Sequence, residues 1–133
     1  MKNILLMLLV LSFSLSFAQP DGRISTIDFI EVLNDNYDET LFYYQNNWQQ
    51  LRIKALKKGY INNYQLLETI PTEESPYSFI LITTYTNEEQ YNHREKHFQG
   101  LIKEKGGLKL LNDKEPKEFR QASREHDMVK HWD

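Results

Sequence analysis

Two histidines stand four positions apart in the segment His93-Arg94-Glu95-Lys96-His97. In a helix, residues i and i+4 share a face, so both imidazoles could bind one transition-metal ion. Two protein ligands are too few, however, and the sequence identifies no third. The order also differs from the His-Glu-x-x-His pattern of zinc proteases, because Arg94 and not a glutamate directly follows the first histidine. We therefore favour a solvated histidine pair and keep His93 and His97 as weak metal candidates.

Arg94 and Glu95 form a second candidate pair, because both project within about 60° of the centre of the same helix's apolar face. Charges seldom lie near a buried face without a partner or a ligand. Tyr85, at the end of an apolar strand, should lie near them. In one interpretation Arg94 holds an anionic group in a pocket between sheet and helices, and Glu95 or Tyr85 orients it. In the other, which we favour, the pair forms an internal salt bridge that ties the helix to the sheet or to a partner subunit.

The aromatic residues Tyr44 and Trp48 could line the same pocket. They belong to a stripe of large residues at intervals of three and four, which indicates one face of a helix: Tyr37, Leu41, Tyr44, Trp48, Leu51 and Ala55. Aromatic residues on such a stripe are more often core residues than ligand contacts. There is no glycine-rich phosphate loop, and no Ser-His-Asp arrangement can be proposed from the spacing. The sequence therefore predicts no catalytic residue and no cofactor.

The elements that would position these residues begin with a strand over 24–33, whose side chains alternate between two faces. One face carries Ile27, Phe29 and Leu33, and the other carries Asp28, Ile30 and Val32. A helix over 37–58 should follow. Asn36 and Glu39 resemble a capping box at its start, and Gly59 suits the left-handed position after its end.

Two further strands, 60–70 and 77–85, flank a polar, proline-bounded turn and should pair antiparallel. The second of them is apolar on both faces through its middle, which favours the centre of a sheet. A second helix should run to about Lys105, with Thr86 as its N-cap and Glu89 at N3. A last short strand is expected over 119–125, and the charged tail with His126, His131 and Trp132 should dock or fray.

The order strand, helix, strand, strand, helix, strand predicts a ferredoxin-like split β-α-β sandwich of the α+β class, with two helices on one face of an antiparallel sheet. The other face of the sheet is expected to be apolar as well, through Ile30, Val32, Ile80 and Ile82. Such a face is unfavourable in water. We therefore predict a homodimer in which the two sheets pack about a two-fold axis as an α/β barrel.

Residues 1–18 predict the location of the protein. Lys2 precedes an apolar run that is shorter than the roughly 20 residues of a bilayer span, and Ser16 and Ala18 supply small side chains before a cleavage point. We predict a signal peptide over 1–18 and a single mature domain over 19–133, with its core over about 24–125 and no membrane segment. The chain contains no cysteine, so it can form neither a lipoprotein anchor nor a disulfide. These features predict an exported protein, periplasmic or extracellular in a bacterium.

The charge of the mature chain argues against nucleic-acid binding. Cleavage removes one of the 16 basic residues and leaves all 19 acidic ones, so the formal net charge becomes −4. The densest basic cluster, Lys54, Lys57 and Lys58, falls at the end of the first predicted helix, where cations interact favourably with the helix dipole.

The element order, together with the segments 47–61 and 83–98, resembles the dimeric α/β-barrel superfamily. This superfamily includes antibiotic-biosynthesis-type monooxygenases, haem-degrading monooxygenases and small exported proteins without established activity. Among haem-degrading members, the resemblance implies an asparagine on the first strand, a tryptophan deep in the pocket and a histidine ligand on the second helix. His97, or less well His93, is the counterpart of that histidine. Asn34 falls at the end of the first strand, and Trp48 lies on the first helix.

From these features we predict an exported homodimer that binds a small apolar or aromatic molecule or acts as an accessory domain. The resemblance leaves two alternatives on the same fold. One is a haem-dependent or cofactor-free monooxygenase, and the other is an envelope protein with interaction partners only. Reduced nicotinamide and ATP are not readily supplied outside the cytoplasm, so export favours binding over catalysis.

Overall fold

The structure is a computed structural model that describes residues 21–133. The predicted signal peptide, 1–18, lies outside the described residues. Within 21–133, no helix combines the length and the apolar character needed to cross a bilayer.

The described elements alternate between strands and helices much as the sequence predicts. In chain order they are β1 (Ile24–Val32), α1 (Tyr37–Tyr43), a π-helical segment (Tyr44–Trp48), α2 (Gln49–Lys57), β2 (Asn63–Glu68), β3 (Phe79–Tyr85), α3 (Glu88–Asn92), α4 (Arg94–Lys105), α5 (Pro116–Phe119) and β4 (Arg120–Lys130). The first predicted helix therefore contains a π-helical segment, and the second is divided at His93. The strands predicted over 60–70 and 77–85 are shorter, whereas the last strand continues five residues beyond the predicted 119–125.

The strands form one antiparallel sheet in the order β2-β3-β1-β4, with β1 and β3 in the centre. The helices pack on one face of this sheet, where the buried side chains form two clusters. One cluster surrounds Tyr85 and Leu101, and the other surrounds Tyr44 and Phe79. The connectivity and strand order are those of the ferredoxin-like α+β fold, so the predicted fold class is confirmed.

The two faces of β1 differ from the expected assignment. Ile30 is only 2% exposed and packs with Phe79 beneath the helices, and Val32 packs against the same cluster. The prediction that Ile30 and Val32 belong to the second, open face is therefore wrong. Large apolar residues occur on both faces of β1, so the alternation of side chains along the strand could not decide which face lies against the helices. Asp28 is two positions before Ile30, so its side chain projects from the same face of β1, which is the face covered by the helices.

The open face of the sheet is defined by the cross-strand pairs between β1 and β3. Ile27 pairs with Ile82, and Phe29 pairs with Ile80. Because directly paired residues project from the same face, these four side chains form an apolar patch on the side without helices. The predicted apolar second face is present, with Ile27 and Phe29 in place of Ile30 and Val32.

The π-helical segment places Asn47 in the interior, where it is 3% exposed. Its Nδ2 donates to the carbonyl oxygens of Tyr43 at 2.9 Å and Lys109 at 2.8 Å. Its Oδ1 accepts from the Lys105 ammonium and from the Lys109 backbone N–H, both at 2.8 Å. The Asn47 side-chain amide thus has hydrogen-bond partners for both Nδ2 and Oδ1, and these bonds attach the loop after α4 to the first helical region.

The helix starts differ from the predicted capping boxes. Asn36 is the N-cap of α1, but its side chain makes no capping hydrogen bond. The Lys114 ammonium donates instead to Asn36 Oδ1 and, at 3.0 Å, to Glu39 Oε1. A lysine far along the chain therefore takes the acceptors that the local pattern assigned to the helix start. At the second helix the N-cap is Asn87, one residue after the predicted Thr86.

The strand β4 is an edge strand whose side chains are exposed along most of its length. The tail after it docks rather than frays. His131 Nε2 lies 2.7 Å from Ser25 Oγ, and the Asp21 backbone N–H donates to the His131 carbonyl at 3.1 Å. The first and last described residues are therefore held together at one end of the sheet.

Adjacent residues on α4 provide a test of the packing. Leu101 is 1% exposed, so Leu101→Ala should lower the free energy of unfolding by about 3 kcal/mol through the cavity it creates. Ile102 is 53% exposed, and Ile102→Ala should cost less than about 1 kcal/mol. Urea unfolding followed by circular dichroism measures both values. Equal losses would contradict the orientation of α4.

Candidate functional site

Two neighbouring pockets, which share three lining residues and which we name the two lobes of one cavity, lie between the helices and the seam of β1 and β4. The polar lobe has a volume of about 350 Å³ and is lined by Thr26, Asp28, Arg52, Tyr85, Arg94, Glu95, Phe98, Ile102, Glu125 and Asp127. The apolar lobe, of about 330 Å³, is lined mainly by aliphatic and aromatic side chains, among them Ile30, Tyr43, Tyr44, Trp48, Leu51, Leu81 and Leu108. Asp28, Ile102 and Glu125 border both lobes. The combined space has the size and composition of a small-molecule site.

Arg52, on α2, is the most constrained charged side chain of the polar lobe. Its Nε donates to Thr83 Oγ1 at 3.1 Å. Its Cζ lies 4.5 Å from the ring centroid of Trp48 and 4.2 Å from that of Phe98, which are cation–π distances. Burial lowers the pKa of Arg52 to about 10, so the side chain stays charged at neutral pH.

The terminal N–H groups of Arg52 have no protein partner within residues 21–133. The hydrogen bond to Thr83 is the only one its side chain makes there, and no carboxylate oxygen of those residues comes within 4.0 Å. Two aromatic rings and a threonine hydroxyl thus hold the guanidinium, while its remaining donors border a cavity. The edge of the guanidinium that carries these donors matches the geometry of a carboxylate or another planar oxygen acceptor.

Asp28 is the corresponding acidic group on β1. Its carboxylate makes no hydrogen bond or ion pair with any residue in the described part of the chain, although it borders both lobes. Burial raises the pKa of Asp28, and the neighbouring Glu125 raises it further, whereas Arg52 and Arg120 act in the opposite direction. A partly buried carboxyl group with a raised pKa in a cavity is typical of functional sites.

The predicted residues Tyr85, Arg94 and Glu95 all line the polar lobe. Arg94 Nη1 donates to the Tyr91 carbonyl at 3.1 Å, and the Arg94 Cζ lies 3.8 Å from the Tyr91 ring centroid. Glu95 is exposed, and within residues 21–133 neither member of the pair forms a salt bridge. Burial raises the pKa of the Tyr85 phenol to about 12, so it remains neutral at physiological pH.

The predicted aromatic residues Tyr44 and Trp48 line the apolar lobe. Tyr44 is buried in the core, and burial raises the pKa of its phenol. Trp48 is half-buried and also contacts Arg52, so it joins the two lobes. The same lobe contains Arg120, whose Nε is buried and has no hydrogen-bond partner among the described residues.

Arg52 and Asp28 line the candidate site, and the sequence-based prediction missed both. A signal for Arg52 was present, because it follows Trp48 by four positions and shares its helix face. Asp28 lies on the same face of the strand as the apolar Ile30. A charged residue among apolar ones on a single face indicates a charge on a buried face. That signal became readable only once the orientation of β1 was known.

The candidate metal ligands His93 and His97 line neither lobe of the cavity. The His97 ring stacks on Tyr60 at 3.7 Å between centroids, and His93 Nδ1 lies 2.7 Å from the Glu89 carbonyl oxygen. Within residues 21–133 the pair gains no third ligand. The histidine that the resemblance implies for haem is thus not placed beside the cavity, and the residues present there do not fit haem.

One group of three potential metal ligands occurs within the described residues, namely Asp21, His131 and Asp133. It lies where the two ends of the chain meet, away from the lobes. Arg23 forms ion pairs with both carboxylates of this group. These acidic side chains already have a cationic partner, so they do not indicate a metal site.

Comparisons with known proteins identify no family. No protein-family model matches the chain, and no curated protein matches it. The chain is similar to the solved structure of HapK from Hahella chejuensis, with 12% identity over 77% of this chain and 88% of that one, at a TM-score of 0.49. It is also similar to a dimeric protein of unknown function with a ferredoxin-like fold from Bacteroides fragilis, with 9% identity over 83% of this chain and 100% of that one, at a TM-score of 0.48. Similarity of this extent carries no inference about function.

The raised pKa of Asp28 predicts a specific pH dependence of stability. The native state holds this proton more tightly than the unfolded state, whose pKa is near 3.8. Ionisation of Asp28 therefore destabilises the fold as the pH rises from about 3.8 through the native pKa. Asp28→Asn removes this cost, so its melting temperature should exceed that of the wild type at neutral pH, and the difference should shrink in acid.

Differential scanning calorimetry from acidic to neutral pH measures this difference. Asp38→Asn, at an exposed position in the first turn of α1, is the matched control and should show no comparable gain. A pH-independent difference between Asp28→Asn and the wild type would show that Asp28 titrates normally.

Proposed function

We propose that this protein binds a small molecule with an aromatic or apolar body and an acidic or carbonyl oxygen. The observation that carries this proposal is the Arg52 guanidinium, which is held by Thr83, Trp48 and Phe98 while its terminal donors border the cavity. Arg52 is half-buried, and its terminal N–H groups, which no residue of 21–133 accepts, open onto the cavity, where an oxygen-bearing ligand would accept hydrogen bonds from them.

The two lobes support a division of roles within one ligand. The apolar lobe suits a ring or short hydrocarbon against Trp48, Leu51 and Leu81. The adjoining polar lobe places the ligand's oxygen on Arg52. Arg94, which one interpretation of the sequence assigned to an anionic group, lines the same lobe and contacts Tyr91. Arg52 also contacts Trp48, which lines the apolar lobe, so we take Arg52 as the anchor next to the ligand's apolar body.

Phenylacetate, an aromatic ring with one carboxylate, is a direct probe of this proposal. The wild type should bind it, and Arg52→Met should weaken the affinity by about tenfold or more, because a charge-assisted hydrogen bond is lost. Arg124→Met is the matched control, since Arg124 is exposed on β4 and pairs with Phe29 on the open face. Isothermal titration calorimetry measures all three affinities.

Two results would contradict the binding proposal. Absence of phenylacetate binding to the wild type would favour an interaction-only role. Equal weakening in Arg52→Met and Arg124→Met would show that binding depends on general charge rather than on the cavity.

We further propose that the protein acts as a homodimer through the open face. This face carries the half-buried side chains Ile27, Phe29, Ile80 and Ile82, and no described helix lies over them, although the rings of Tyr77 and His126 pack against Phe29. A second copy supplies an identical apolar surface, and a two-fold axis brings the two patches together. The chain's cavity lies on the opposite side of the sheet, so dimerisation leaves it accessible.

We also propose that the protein is exported with its first 18 residues removed. The support is the sequence pattern of residues 1–18, with its basic start, short apolar run and small residues before Gln19. The lack of cysteine is compatible with a domain that folds outside the cytoplasm without disulfides.

Native mass spectrometry of the protein purified from a bacterial envelope tests both proposals at once. The expected species is a dimer of chains that begin at Gln19. Ile82→Glu should convert it to a monomer, because the new charge lies in the centre of the apolar patch. Leu56→Glu, which alters an exposed apolar residue on α2, is the control and should remain dimeric. A monomeric wild type, or a chain that retains Met1, would refute the corresponding proposal.

A further inference from the structure

Asp28 and Arg52 line the same polar lobe but do not touch. Their charged atoms are more than 4.0 Å apart, and within residues 21–133 neither group pairs with another charged side chain. Opposite charges in a poorly solvated space normally approach each other, because contact offsets part of their desolvation cost. Here Thr83 and two aromatic rings hold the guanidinium on the helix side, while the carboxylate is fixed to the central strand. The gap between them is open to the cavity.

We propose that Asp28 and Arg52 form a proton-transfer site that interconverts the keto and enol forms of a small aryl carbonyl compound. This inference rests on the proposed binding function and names the substrate class and the chemistry of the same cavity. The carbonyl oxygen would accept hydrogen bonds from the Arg52 terminal N–H groups. The carbon next to the carbonyl would face Asp28, and the aryl ring would occupy the apolar lobe.

The reaction needs no cofactor or co-reactant. The Asp28 carboxylate removes a proton from the carbon next to the carbonyl, and the C–H electron pair becomes the C=C bond of an enolate. The carbonyl π electrons move to oxygen, where the Arg52 cation stabilises the negative charge as it develops. The proton then passes from the Asp28 carboxyl group to the enolate oxygen, so the enol leaves and Asp28 is again a carboxylate.

The charges around Asp28 are consistent with a carboxylate base. Glu125 and Asp127 on β4 line the lobe and raise the pKa of Asp28, and Glu95 on α4 lines the lobe as well. Two cations line the same lobe as these acidic residues, namely Arg52 on α2 and Arg94 on α4.

Two further titratable groups, Arg120 and Tyr85, line the lobes. Arg120 borders the apolar lobe, and its charge opposes the rise in the pKa of Asp28. The Tyr85 phenol is neutral and does not compete for the proton. A carboxylate that burial makes more basic transfers protons more effectively near neutral pH than a solvated one.

The experiment uses phenylpyruvate, an aryl keto acid whose methylene protons exchange through the enol. Exchange of these protons in deuterated buffer, followed by proton NMR, should be faster with the wild-type protein than in buffer alone. Asp28→Asn should lose about 100-fold or more of the protein-dependent rate, because a positioned base typically contributes that much. Asp38→Asn, an exposed carboxylate on α1, should retain the wild-type rate.

Binding measurements separate this inference from the binding proposal. Asp28→Asn should still bind phenylacetate, since Arg52 is intact, whereas Arg52→Met should lose both binding and exchange. If the wild type binds phenylacetate and phenylpyruvate but does not accelerate exchange, or if Asp28→Asn is equally active, the proton-transfer inference is overturned and the binding proposal stands. If the wild type binds neither compound, both fail.

Discussion

The unequal coverage of the sheet by helices determines where the cavity of this protein lies. The helices pack over β2, β3 and the inner side of β1, whereas β4 pairs with β1 and stays largely exposed. A ferredoxin-like sheet with an uncovered edge strand leaves a space between that strand and the nearest helices. Both lobes of the cavity lie along this seam, and Asp28, on the strand that forms one side of it, borders each of them.

The side chains around this space are held by contacts that limit how they can respond to one another. Arg52 is restrained by residues from the π-helical segment, α4 and β3, so it cannot move to Asp28 without giving up its aromatic contacts. The π-helical segment also supplies Asn47, which attaches the loop before α5. The same short segment therefore supports both the packing of the fold and the position of the cation. The separation leaves both charges without an ion-pair partner among residues 21–133, on opposite sides of the polar lobe.

The sequence predicted the architecture well because hydrophobic periodicity reports which elements form. Element order, the central position of β3 and the break at Gly59, whose φ is +70°, follow from local residue types. The helix caps and the phase of β1 could not be predicted in the same way. Lys114 reaches Asn36 and Glu39 from far along the chain, and the register with β3 decides which side of β1 is covered. For the candidate site, the sequence predicted that Tyr85, Arg94 and Glu95 lie together, and they line one lobe, whereas Asp28 could be recognised only from that long-range register.

The position of the first strand has a consequence for how the chain acquires its structure. β1 is the first strand of the described residues, 21–133, yet one of its neighbours ends at Tyr85 and the other pairs with it as far as Lys130. Contacts of such large sequence separation form slowly, since a long loop must close before they contribute. Until the last dozen residues are available, a central strand behaves as an unprotected edge with Ile27 and Phe29 on it. A C-terminally truncated chain would therefore lose solubility and one wall of its cavity together.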